Sequence, residues 1–139
     1  MKTLRALAVL VAGFAALSVP VAAHHSFSAE FDAKQPVTLK GTVIKMEWIN
    51  PHSWIHLSVK NPDGTTTEWM IESGTPNTLV RRGFTKQSLL PGTEITVEGF
   101  RAKNGANRAN GADLILADGK RLFLGSSGTG APREAPDGQ

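Results

Sequence analysis

Apolar and polar residues alternate with a period of two through much of the chain, and the first such run is Val37 to Trp48. Val37, Leu39 and Val43 share one parity, then Ile44, Met46 and Trp48 take the other. That change of phase beside Gly41 predicts a bulge or sharp coil, which lets one strand serve two sheets. Trp54 to Asn61 alternates again, with Ile55, Leu57 and Val59 on one face and Trp54, His56 and Ser58 on the other. Asn61-Pro62-Asp63-Gly64 reads as a turn, because Pro suits its second position and Gly takes the left-handed conformation that follows. Thr65 to Ser73 returns as a strand. A three-residue Pro-Asp-Gly loop pairs Asn61 with Thr65. The register then sets Leu57 opposite Trp69, Ile55 opposite Ile71, His56 opposite Met70 and Trp54 opposite Glu72. Apolar meets apolar, and by parity Trp69 belongs to the core.

Thr75-Pro76 opens a short helix, with Thr as N-cap and Pro at the first helical position. Leu79 and Val80 give it an apolar side, Arg81-Arg82 complement the negative end of its dipole, and Gly83 stops it. Thr85 to Leu90 adds a further turn before Pro91-Gly92. Glu94 to Ala102 is the next strand, and Lys103 to Gly111 reads as a polar loop. Asp113 to Ala117 and Lys120 to Leu124 form a final hairpin about Asp118-Gly119. From Gly125 the residues have nothing to bury, which predicts a disordered tail over 125–139. The fold class expected is mainly β: a small five- or six-stranded OB-like barrel, with one short helix between strands three and four. An open sandwich is the alternative.

The two ends change this picture. Lys2 and Arg5 precede an apolar run, Leu7 to Leu17, and Val21 and Ala23 sit at −3 and −1 of a cut. Residues 1–23 therefore read as a cleaved signal peptide, with 24–36 an N-terminal arm and 37–124 the barrel domain. The apolar run is too short to span a bilayer, so the mature chain is expected in the periplasm or outside the cell, without stable membrane insertion. Losing 23 of 139 residues leaves 116, enough for one core. Lys2 and Arg5 leave too, so 15 Lys and Arg become 13 against 12 Asp and Glu. That balance gives no general attraction to nucleic acid. Zero cysteines exclude disulfides, thiolate ligands and cysteine nucleophiles.

A cut after Ala23 makes His24 the new N-terminus, whose amine and imidazole Nδ1 can chelate one metal ion together. Completed by a further His, that arrangement resembles the histidine brace of some exported copper proteins. His52 or His56 could supply the further ligand, and Met70 is a soft neighbour across the hairpin. Nitrogen ligands suit Cu(II), and a thioether favours Cu(I). His52 and His56 would lie about 13 Å apart on a straight strand at about 3.3 Å per residue. Only a bend near Pro51-His52 would let those two share an ion. The plainer readings are a solvated His-His start, His56 facing water, and His52 fixing the Asn50-Pro51 turn through backbone. Trp48 and Trp54 are the candidates for ligand stacking. Glu68 and Glu72 share one strand face, as exposed carboxylates often do. No Gly-x-Ser-x-Gly, phosphate loop or His-Glu-x-x-His is present, and Arg81-Arg82 at the helix end read as solvated as readily as anion-binding.

Several segments also resemble a known family: His24-His25-Ser26-Phe27, Glu47-Trp48-Ile49-Asn50-Pro51-His52-Ser53-Trp54-Ile55, Arg81-Arg82-Gly83-Phe84, Thr96-Val97-Glu98-Gly99-Phe100-Arg101-Ala102-Lys103 and Leu116-Ala117-Asp118-Gly119. The family is a domain-of-unknown-function group of small exported proteins from Gram-negative bacteria. The resemblance implies export and a single β domain, and brings no activity with it. The functional expectation is a non-enzymatic exported binding protein, with copper or another divalent metal as the leading ligand. The alternative is a metal-free accessory module that binds a periplasmic protein or small ligand through its barrel face.

Overall fold

The Asn61–Gly64 turn does what its residues dictate: Gly64 adopts φ 87°, and the Asn61 amide donates to the Thr65 carbonyl at 2.8 Å. Around it, the computed structural model describes residues 26–125 and Pro132. The order among the described residues is α1 (Phe27–Glu30), β1 (Phe31–Glu47), β2 (Trp54–Lys60), β3 (Thr66–Glu72), α2 (Pro76–Arg81), β4 (Glu94–Ala102), β5 (Arg108–Leu116) and β6 (Arg121–Phe123). No helix among them is long and apolar enough to cross a membrane. The β2–β3 register has Leu57 against Trp69, Ile55 against Ile71, His56 against Met70 and Trp54 against Glu72.

β1 pairs with β2 along its second half and with β4 along its first, so Gly41 and Thr42 have strand neighbours on both sides. β4 continues to β5, and β5 meets β3 in parallel. The hydrogen-bonded order thus returns on itself as β1-β2-β3-β5-β4, with β6 added to β5. Inside lie Leu39, Val43, Ile55, Leu57, Ile71, Val97, Leu114 and their neighbours, capped by Leu79 of α2 and Phe84. Thr75 caps α2 by accepting from the Thr78 amide at 3.1 Å, and Gly83 ends it at φ 91°. Arg82 stacks on the Phe123 ring at 4.5 Å and donates to the Gly125 carbonyl, so it ties the helix end to the last strand instead of standing solvated.

Four boundaries differ from expectation. β1 begins at Phe31 rather than Val37, because Phe27 and Phe31 build a second apolar cluster with Phe100, Ala102 and Ala112. Phe27 stacks on Phe31 at 5.9 Å and meets Phe100 edge-on at 5.4 Å, which fixes α1 across β4 and β5. The change of phase falls between Val43 and Lys45, not at Gly41; the exposed Ile44 is the extra residue. Gly41 serves close approach instead, since a Cβ there would collide with the Ser58 carbonyl oxygen. The expected polar loop is shorter than 103–111, because Arg108 to Gly111 are already β5. Finally, Gly125 is buried rather than part of a tail. Trp69 packs on the core while half-buried, with Arg101 over its ring at 5.4 Å.

Because the obstacle at Gly41 is backbone, Gly41→Ala should destabilise the fold by about 2–4 kcal/mol, within the range of severe single substitutions. Urea denaturation beside a Thr38→Ala control measures it. A loss under about 0.5 kcal/mol would show that β1 and β2 do not approach so closely.

Candidate functional site

The side chains of opposite parity to the core make one outer face on β2, β3 and β5. Trp54 and His56 come from β2, Glu68, Met70 and Glu72 from β3, and Arg108 and Asn110 from β5. Two histidine–glutamate pairs cross the β2–β3 seam. His56 Nδ1 lies 2.7 Å from Glu68 Oε1, and His52 Nδ1 lies 2.9 Å from Glu72 Oε1. His56 is directly opposite Met70, so its carboxylate partner is the diagonal neighbour two residues back on β3. Extending the same register puts His52 level with Gly74, which makes Glu72 the equivalent diagonal neighbour. One antiparallel geometry thus generates both pairs.

The two pairs differ electrostatically. Glu68 is exposed and, when ionised, can only accept, so the Nδ1 of His56 carries the proton. His56 itself is 6% exposed, and its Nε2 is buried without a hydrogen-bond partner. Glu47 Oε1 of β1 stands 3.6 Å from that nitrogen, too far for a hydrogen bond. Lys45 bonds the Glu47 carboxylate at 2.6 Å and so holds it below the usual carboxyl range. Glu72 moves the other way. Burial, reinforced by the negative charge of Glu30 and opposed by Arg108, pushes its carboxyl from 4.5 up to about 7.

Glu72 and Asn110 are neighbours across the closing β3–β5 pairing, as are Met70 and Arg108. The Arg108 guanidinium covers the Trp54 ring at 4.8 Å and approaches Glu30 of α1 at 3.6 Å. Neither Arg108 nor Glu30 stands out in the sequence. Arg108 lies in a run of Asn, Gly and Ala without alternation, and Glu30 lies 78 positions before it.

A family model for a family of unknown function (DUF6152) matches residues 11–111. The chain belongs to that family. The DUF6152 match takes in His24-His25, both histidine–glutamate pairs and the start of β5, and stops short of β6. No curated protein and no solved structure matches significantly. Membership brings no activity, so the chemistry rests on the face itself.

Of the expected metal ligands, the structure brings His56 and Met70 opposite each other and gives His52 to Glu72. His24 lies outside the described residues. Among the described residues, no group of three or more His, Cys, Asp and Glu can hold a metal ion. His56 does not face water: β1 and the Glu47 side chain close over it. Glu72 is 6% exposed, not a solvated carboxylate, and has Asn110 of β5 beside it across the closing pairing. His52 has the Glu72 carboxylate as one anchor. Trp48 is half-buried against the main core, whereas Trp54 is under Arg108.

Glu72 sets a pH dependence whose sign is opposite to the usual carboxylate. Its folded pKa is about 7 against an ordinary 4.5, so the folded chain holds the proton more tightly. The stability this gives is complete below about pH 4.5 and is lost as pH rises to about 7, on the order of 2 kcal/mol. Urea midpoints at pH 5, 6 and 7 should fall for the natural chain and stay nearly level for Glu72→Gln. Parallel curves for the two would contradict the buried carboxyl.

Proposed function

We propose that this DUF6152 protein is an exported binding protein, not an enzyme, and that it binds copper or another divalent metal through the amine and imidazole of His24 together with His56. The observation that carries the reading is the state of His56: Nδ1 held by Glu68, Nε2 buried with no hydrogen-bond partner. A metal-binding histidine characteristically donates its second nitrogen to a carboxylate, which fixes the ring and raises its basicity. Glu47 and Met70 are the neighbouring oxygen and sulfur donors, and His52, braced by Glu72, is the substitute nitrogen. Export is inferred from the apolar segment and the small residues at Val21 and Ala23. An OB-like barrel is inferred from the closed order of β1 to β5 and from a first strand shared by both halves. The short helix α2 between β3 and β4 supports the same reading.

The test is titration of Cu(II) and Cu(I) into protein whose N-terminus at His24 has been verified by mass spectrometry. Affinity should be tighter than about micromolar. It should collapse in His56→Ala, and Glu68→Gln should weaken it about tenfold through loss of the ring's anchor. An extra residue before His24 should abolish the chelate. Binding no better than about micromolar, or unchanged by that added residue, sinks the metal reading and leaves the metal-free accessory module.

A further inference from the structure

We propose that Trp54, Glu72, Glu30 and Asn110 form a cage for a small organic cation with a guanidinium or alkylammonium head, which Arg108 occupies as an internal stand-in. The cage is made by the closing β3–β5 pairing and roofed by α1, and it uses neither His24 nor His56. Glu72 has His52 on one oxygen, and beside it Asn110, 4% exposed, has a buried Oδ1 with no hydrogen-bond partner. A buried carbonyl oxygen left unpaired is costly, and its cross-strand position beside Glu72 marks the place for a donor.

Arg108 meets that demand poorly. Its guanidinium rests on Trp54 at 4.8 Å, a cation–π contact, but stands 3.6 Å from Glu30, beyond hydrogen-bond reach. Its Nε has no partner. A guanidinium well matched to a carboxylate would make two parallel bonds. The same side chain forms one wall of a cleft of about 170 Å³, lined also by Ala29, Glu30, Ala102, Lys103 and Asn104. Rotation of Arg108 into that cleft would uncover the indole face and leave Glu30 and Glu72 beside it. A competing cation then finds an aromatic surface, two carboxyl groups and an amide oxygen.

The experiment follows the Trp54 indole N–H by NMR in the mature chain, titrated with ethylguanidinium or tetramethylammonium chloride against matched sodium chloride. A saturable shift at Trp54, absent at Trp48 and Trp69, is expected. Arg108→Met removes the internal competitor but keeps an apolar contact on the ring, so it should bind these ions about tenfold tighter than the natural chain. Should that variant fail to fold, Arg108→Lys takes its place, since a hydrated ammonium leaves the ring more readily. It too should bind tighter. A folded variant with no saturable shift, or with affinity equal to or below that of the natural chain, overturns the proposal.

Discussion

The parallel pairing of β3 with β5 is the contact on which the rest of the molecule depends. Only three residue pairs make it, Met70 with Arg108, Ile71 with Ala109 and Glu72 with Asn110. Its inward members, Ile71 and Ala109, complete the main core. Its outward members juxtapose a buried carboxyl with an amide and a guanidinium from a strand well separated in sequence. Small residues make the closure possible: a Cβ on Gly111 would press on Leu124 and Ile71, and one on Gly99 would strike the Asn110 carbonyl. Without this seam the strands would form an open sheet, and the polar face would lose the side chains that give it shape.

Much of the fold was legible because its determinants are local. The Pro-Asp-Gly loop sets the β2–β3 register, and that register alone places His56 by Met70 and Trp54 by Glu72. The helix ends were equally plain, being written in Thr75, Pro76 and Gly83. What stayed hidden was long-range. Arg108 to Gly111 carry no alternation, since their inward positions are Ala and Gly packed against β3, so the sequence pattern marks this strand only from Asp113. Phe27 and Phe31 lie before any alternating run, and only the cluster with Phe100 reveals them as core. The candidate site divides the same way, with the β2 and β3 residues visible and Glu30 and Arg108 not.

The two histidine–glutamate pairs show how one strand pairing can produce different chemistry. Both use the same diagonal offset across the seam. His56 is anchored by an exposed carboxylate and keeps a buried, unpartnered nitrogen; His52 is anchored by a carboxyl whose burial raises its pKa to about 7. The difference arises from what neighbours each level: Glu47 of β1 at the first, Asn110 of β5 and the charge of Glu30 at the second. Site character is therefore set less by the histidines than by the elements packed around them.

Everything on the polar face presupposes that β3 and β5 are joined in solution. Native-state hydrogen exchange of the Met70 amide tests this most directly, because it donates to the Asn107 carbonyl across the seam at 3.0 Å. The closed ring predicts that it exchanges as slowly as the amides of the β4–β5 ladder, through opening of the whole domain. Exchange at loop-like rates while β4 and β5 remain protected would mean the ring is open, and would contradict the account.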